Sequence, residues 1–329
     1  MKTIAILIFD GVMASSIFGP ADLFNISNTL SKHIDPNQTA DLFDVRFLSV
    51  DDKPVQAMAG VTIEPTILCK DIANIDVLLI GGYHYVNNQS LIEHLERVAR
   101  FNQQLIAMYQ NGTTICAFCT GSFTLAQAGL LDDRQATVSW WLAQFFGQRF
   151  PKVELAMDKL VVQSDLIWTA GATTAYASLC IKLVEKMVNH QLASQLSRIM
   201  LIDNNRVSQM PYMSVQTTVG HNDKVISDCQ FWLQENLASP ISVKGMSEYC
   251  AMSERTFIRR FKAAVGIPPG SYLQQLRVDA AKQLLANTSL ALDTIVSKVG
   301  YDDVSAFRRL FTKLTQLTPR AYRVSFSAR

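Results

Sequence analysis

Between residues 241 and 323 the chain carries one pattern twice: a short helix, a tight turn, then a second helix bearing arginines. The first copy reads ISVKGMSEYCAMSERTFIRRFKAAVG and the second LDTIVSKVGYDDVSAFRRLFTKLTQLTPRAYR. Both are helix-turn-helix units, about 241–266 and 290–314. Two such units on one chain can present two helices to successive major grooves, roughly 34 Å apart. The pattern therefore points to sequence-specific binding of double-stranded DNA.

The spacing within each unit separates a buried face from a charged one. Phe257, Phe261 and Val265 recur at i, i+4 and i+8, which is one apolar side of a helix. Arg255, Arg259 and Lys262 fall on another side, with Ile258 beside them able to touch a thymine methyl. Ser253 is placed to cap that helix. In the second unit Phe307, Leu310, Phe311 and Leu314 make the apolar side, leaving Ser305, Arg308, Arg309 and Lys313 outward. Each arginine can pair with a guanine edge or with phosphate, and the sequence leaves both roles open.

Charge follows the same division. From Lys224 to Arg329 there are 15 Lys and Arg against 8 Asp and Glu, whereas Met1 to Asp223 holds 15 against 20. A basic portion joined to an acidic one fits a chain in which only the basic portion meets phosphate. The opening MKTIAILIFDG has no small-residue cleavage site behind its apolar run, so a secretory signal is not expected. No run approaches the ~18 apolar residues of a membrane span. Six cysteines in 329 residues make no disulfide framework, which suggests a reducing cytoplasm.

The first half alternates short apolar runs with longer helical stretches, the signature of a parallel α/β sheet. Strands are expected at Thr3–Phe9, Asp44–Val50, Asp76–Ile80, Thr113–Ala117 and Ile167–Thr169. Helices are expected at Ala21–Leu30, Ser90–Gln110, Phe123–Ala128, Ser139–Phe150, Ala172–Asn189 and from Gln191 to about Arg206. Residues 208–222 keep neither period and carry Pro and Gly, which places a linker between domains at 1–207 and 223–329. The expected fold is a flavodoxin-like parallel-sheet sandwich followed by an all-α domain.

Ligands of open α/β sheets bind beyond the carboxyl ends of the strands. Three such ends carry loop chemistry: Phe9-Asp10-Gly11, Gly81-Gly82 and Cys119-Thr120-Gly121. The last joins a strand to a helix as a nucleophile elbow does. Cys116 and Cys119 also form a CxxC spacing, open to a thiol switch or to a buried inert Cys116. No second Cys or His pair has zinc spacing, so no metal or cofactor is expected.

GIPPGSYLQQLRVDAAKQLL, VGYDDVSAFRRLF and LTPRAYR make the last hundred or so residues resemble the AraC/XylS family of bacterial transcription regulators. The match departs at Ala251 and Gln316, where that family favours Gly, and at Ser247 and Val296, where a small Ala is usual. IFDGVMASSIFGPADLF, LLIGG, CTGSFTLAQAGLLDDRQATVSWW and WTAGATTAYASL make residues 1 to 206 resemble the PfpI-like, class I glutamine amidotransferase-like domain. That second resemblance puts Cys119 at the nucleophile position, Ser16 at the usual acid and Ser139 at a usual histidine. With no base in either place, and only His84 as a loop substitute, the resemblance implies a binding pocket rather than an enzyme. Its lining would be Ser16, Gly81, Gly82, Cys119, Thr120, Ser139 and Trp140, though Trp140 reads more readily as core packing. The partners implied are promoter DNA, a small-molecule effector such as a nitrogen-containing metabolite, a second copy of the chain, and RNA polymerase. The competing readings are a cysteine-dependent hydrolase and a regulator switched by Cys116 and Cys119.

Overall fold

The computed structural model describes residues 1–203, 206–215, 221 and 223–327. The chain divides into two compact units, Met1–Gln209 and Met210–Arg329.

The first unit is built on β1 (Lys2–Ile8), whose last five residues are fully buried because helices cover both faces of the sheet. α1 (Ser15–Ile34) leads to β2 (Phe43–Ser49), then to a hairpin of β3 (Val55–Gln56) and β4 (Thr62–Ile63). β5 (Val77–Ile80) follows, then α2 (Asn88–Val98), α3 (Asn102–Gln110), β6 (Thr114–Phe118) and α4 (Gly121–Gln127). After β7 (Gln135–Ala136) come α5 (Ala143–Arg149), β8 (Glu154–Leu155), β9 (Val161–Ser164), β10 (Ile167–Ala170), α6 (Ala175–Met187) and α7 (His190–Ile199). The main sheet runs β2-β1-β5-β6-β10-β9. All its pairs are parallel except β9 with β10. The three loop-bearing strands expected from the sequence, β1, β5 and β6, are adjacent in it. Their carboxyl ends therefore open at one place.

Several boundaries differ from the sequence expectation for physical reasons. α1 begins at Ser15, ahead of the expected start at Ala21, and carries Pro20 in its second turn, where the ring has no N–H for the Ser16 carbonyl. The expected helix 90–110 is broken at Ala99–Phe101 by a tighter 3₁₀ turn between α2 and α3. The stretch expected as a helix from Ser139 opens with a 3₁₀ turn, Trp140–Leu142, before α5. β9 and the two-residue pairs β3–β4 and β7–β8 are too short to carry an alternation that the sequence could reveal.

The second unit is all helical: α8 (Lys224–Glu235), α9 (Val243–Tyr249), α10 (Glu254–Val265), α11 (Pro269–Asn287), α12 (Leu292–Lys298), α13 (Val304–Thr315) and α14 (Pro319–Phe326). α9–α10 and α12–α13 are the two helix-turn-helix units. Phe257 and Phe261 are fully buried with Tyr272 and Leu276 in one core. Phe307 and Phe311 are fully buried with Val278, Ala281 and Tyr322 in a second. α11 contributes to both, so one helix joins two small cores. Of the expected linker, Met213 and Val215 bond to α11, where Lys282 donates to the Met213 carbonyl and the Val215 N–H donates to Asp279. Residues 208–212, 214 and 221 of the expected linker are also described, with a 3₁₀ turn at Met210–Tyr212, while Gln216 to Gly220 and Asn222 lie outside the described residues.

Caps set the starts of α10 and α13. Ser253 accepts from the Thr256 N–H at 3.4 Å, a long contact, and Asp303 accepts from Ser305 and Ala306 at 2.7 and 3.0 Å. Those backbone bonds hold the Asp303 carboxyl below its ordinary range. The two positions lacking the family's glycine are both left-handed: Ala251 at φ 51° in the first turn, and Gln316 at φ 57° ending α13. A side chain there costs about 1–2 kcal/mol that glycine avoids. Ala251→Gly and Gln316→Gly are each expected to raise stability by about 0.5–1 kcal/mol in urea unfolding, after glycine's extra chain entropy is subtracted. Equal loss in both would show that the turns are not strained.

Candidate functional site

The strand ends of β1, β5 and β6 converge on Cys119, the residue between β6 and α4. Cys119 holds a left-handed backbone at φ 57°, and its N–H donates to the carbonyls of Gly171 and Ala170 at 2.9 and 3.1 Å. Those bonds tie the elbow to the end of β10 and offset a strain of about 1–3 kcal/mol. Gly121 follows because a Cβ there would lie 2.4 Å from the Ile80 carbonyl oxygen. The turn is thus as sharp as a nucleophile elbow requires.

The structure brings most of the sequence-selected residues into one cluster. A Cβ on Gly81 would lie 2.6 Å from that of Ser16, and one on Gly82 would lie 3.1 Å from that of Cys119. The Thr120 hydroxyl accepts from the Tyr83 N–H at 2.8 Å and lies 3.2 Å from its carbonyl oxygen. The Ser139 hydroxyl is 3.3 Å from both the Cys119 sulfur and the Gly171 carbonyl oxygen. Ser16, Gly81, Gly82, Cys119, Thr120 and Ser139 are all buried. Trp140 is half-buried, its ring set edge-on to Trp141 at 5.5 Å. His84 is exposed. Thr173, which the sequence reading missed, places its hydroxyl 3.4 Å from the same sulfur. No sequence period marks it, because it sits in the irregular turn after β10.

The chemistry of this cluster is limited. Activating a thiol needs a base, and the groups bonded to the Cys119 sulfur are hydroxyls. The Ser16 hydroxyl is buried without a hydrogen-bond partner among the described residues. Cys116 is enclosed in the sheet between Leu79 and Trp168, and burial pushes its thiol well above the ordinary range. Among the described residues no group of three or more His, Cys, Asp or Glu is placed to hold a metal ion. None of their helices is long and apolar enough to cross a membrane.

On the second unit, Arg255, Ile258, Arg259 and Lys262 of α10 are exposed, as are Ser305, Arg308, Arg309 and Lys313 of α13. Their cations make no ion pair with a carboxylate among the described residues. Arg260 differs. It forks onto Asp223 at 2.6 and 2.9 Å, and Asp223 in turn caps α8. That guanidinium holds the Asp223 carboxyl below its usual range. The arginine left out of the sequence-based set is thus the one tied into the fold.

Fold and site together define a class: a DJ-1/PfpI-type α/β unit with a cysteine elbow, followed by a paired helix-turn-helix unit. The chain belongs to the DJ-1/PfpI family, whose description matches residues 2–186, and a "Helix-turn-helix domain" description matches residues 246–325. It is similar to the HTH-type transcriptional regulator GbdR of Pseudomonas aeruginosa, 23% identical over 97% of this chain and 83% of that protein. It is also similar to the HTH-type transcriptional regulator CdhR of the same species, 26% identical over 83% of this chain and 79% of that one. A solved protein from Vibrio parahaemolyticus described as a transcriptional regulator shares the fold at TM-score 0.53 and 18% identity, over 60% of this chain and 98% of its own. Drosophila melanogaster DJ-1beta does so at TM-score 0.50 and 14% identity, over 61% of this chain and 98% of its own. The chain is a DNA-binding transcriptional regulator that joins a DJ-1/PfpI unit to a helix-turn-helix domain.

The environment of the two cysteines yields an expectation. Under mild oxidant both Cys116 and Cys119 should still react quantitatively with a thiol reagent after unfolding, because a thiol held protonated inside a sheet does not attack a disulfide. Loss of both thiols together would instead show a disulfide switch.

Proposed function

We propose that α10 and α13 enter successive major grooves while the α/β unit senses a small molecule and catalyses nothing. One observation carries the first half: six exposed cations on two matching helices have no carboxylate partner among the described residues, whereas their neighbour Arg260 does. Unpaired cations can meet phosphate or guanine without first breaking an internal bond. Arg255, Arg259, Lys262, Arg308, Arg309 and Lys313 are the contacts, with Ile258 and Ser305 touching base edges beside them.

The second half rests on the elbow. Its geometry is that of a nucleophile turn, but the Cys119 sulfur faces hydroxyls in place of a base. The unpartnered Ser16 hydroxyl offers a bond to an incoming effector. Ser16, Gly81, Gly82, Cys119, Thr120, Ser139 and Trp140 form the face on which a small, nitrogen-containing metabolite acts. An effector shifts the regulator only through unequal affinity for two arrangements of the chain. We assign the active form as a homodimer, since two linked binding events raise affinity at paired half-sites. It works with RNA polymerase in the cytoplasm. The domain limits we assign are 1–207 for the sensor and 223–329 for the DNA-binding domain.

The test compares three arginines on one selected promoter duplex. Arg259→Ala and Arg309→Ala should each weaken binding by about 1–3 kcal/mol if they read bases. Arg260→Ala, on the same helix as Arg259, should change affinity by less than either while lowering folding stability. Equal effects from all three would mean that charge alone, and not a groove-facing side, governs binding.

A further inference from the structure

The end of the amino-terminal unit and the start of the carboxyl-terminal one are each held by specific polar bonds, although the sequence there reads as a linker. In the amino-terminal unit the Leu160 N–H donates to the Val207 carbonyl at 2.8 Å. Gln209 is only 1% exposed, and its Nε2 donates to the Thr137 hydroxyl and the Val138 carbonyl at 3.0 and 3.1 Å. A Cβ on Gly171 would lie 2.8 Å from Gln209 Oε1, so the amide packs directly on that glycine. This seat adjoins the elbow. Ser139 follows Val138, and the Gly171 carbonyl accepts from the Cys119 N–H at 2.9 Å and lies 3.3 Å from the Ser139 hydroxyl. Gln209 Oε1 has no partner among the described residues, so the seat is only half satisfied.

In the carboxyl-terminal unit the chain that follows is clamped to α11. Lys282, its side chain 8% exposed, donates to the Met213 carbonyl and to Asp279 at 3.1 Å, and Asp279 also accepts from the Val215 N–H. A buried ion pair is stable only when its remaining bonds are made, and the backbone of residues 213 and 215 makes them. The 3₁₀ turn Met210–Tyr212 packs against α13, and the Tyr212 ring stands edge-on to Phe326 of α14 at 5.1 Å. Cavities of about 100 and 530 Å³ lie beside this stretch. A few bonds, rather than close packing, therefore hold it, and such segments open ahead of the rest of a fold.

Only three residues, Met210 to Tyr212, separate Gln209 from Met213. We propose that residues 207–215 are a two-ended strap coupling the elbow to the second helix-turn-helix unit. What occupies the elbow alters the Gln209 seat, and the seat alters the Asp279–Lys282 clamp and the packing on α13. The proposal rests on the reading that the elbow senses and α13 meets DNA. Two contacts made by one short segment reinforce each other, since closing one holds the other at high local concentration. Coupling is also reciprocal: if occupancy of the elbow changes DNA affinity through the strap, DNA must change the strap's elbow end.

Amide exchange in ²H,¹⁵N-labelled full-length protein reads both ends, through the Leu160 N–H at one and the Val215 N–H at the other. Gln209→Ala should speed exchange at Val215, and Lys282→Met at Leu160, each by at least about threefold, with β1 and β5 unchanged. Lys282→Arg, which keeps a donor for the Met213 carbonyl, should leave Leu160 near the wild-type rate. A promoter duplex selected for high affinity should change exchange at Leu160 in the wild-type protein. In Lys282→Met, titrated to the same occupancy, that change should be lost. Each substitution moving only its own end, or the duplex moving Leu160 equally in both proteins, would overturn the strap. Failure to select any bound duplex would instead strike the DNA-reading assignment, and exchange without DNA would still decide whether the two ends are coupled.

Discussion

The guanidinium of Arg277 is the joint on which the DNA-binding geometry depends. It is 8% exposed, on α11, between the two cores. From there it donates to the carbonyls of Leu237 and Ser239 at 3.1 and 2.7 Å, and lies over the Tyr301 ring at 5.2 Å. Leu237 and Ser239 precede the first helix-turn-helix unit, while Tyr301 sits in the turn of the second. Gly300 completes the contact, because a Cβ there would lie 2.5 Å from the Leu237 carbonyl oxygen. Each carbonyl left unpaired by loss of Arg277 would cost about 1–3 kcal/mol. Neither small core is large, so a shared helix and a bonded joint are what hold two readers as one body.

The amino-terminal unit keeps the backbone of a nucleophile elbow, with the hydroxyls of Ser139 and Thr173 beside its sulfur. The left-handed turn at Cys119 persists because β10 backbone carbonyls bind its N–H. Of the two serines packed beside it, Ser16 has a buried hydroxyl with no partner among the described residues and Ser139 lies against the sulfur. The strain of that turn is held by backbone bonds to the end of β10. The glycines beside the turn are needed because their space is already filled by Ser16 and Cys119.

How much was legible depended on whether a residue obeyed a period. Phe257, Phe261, Phe307 and Phe311 repeat at helical spacing, so both reader helices and their outward cations could be read directly. β1 and β5 are unbroken apolar runs and announced themselves. The AraC/XylS resemblance exposed Ala251 and Gln316 as departures, and only the backbone showed that both are left-handed. Arg277 was not legible as a joint, since an arginine inside a helix reads as surface. Gln209 was hidden for a related reason: in a stretch without period it reads as exposed linker, yet it is buried. Ser16 and Thr120 read as pocket lining, yet their full burial follows from close packing that no local pattern encodes.

The most direct test takes a duplex selected for high affinity and inserts about 5 bp, half a helical turn, between the two groove contacts of one chain. Two readers fixed to one α11 cannot follow a half-turn rotation, so affinity should fall by at least about tenfold, or ~1.4 kcal/mol. Unchanged affinity after the insertion would show that the two units engage DNA independently, and would contradict the account.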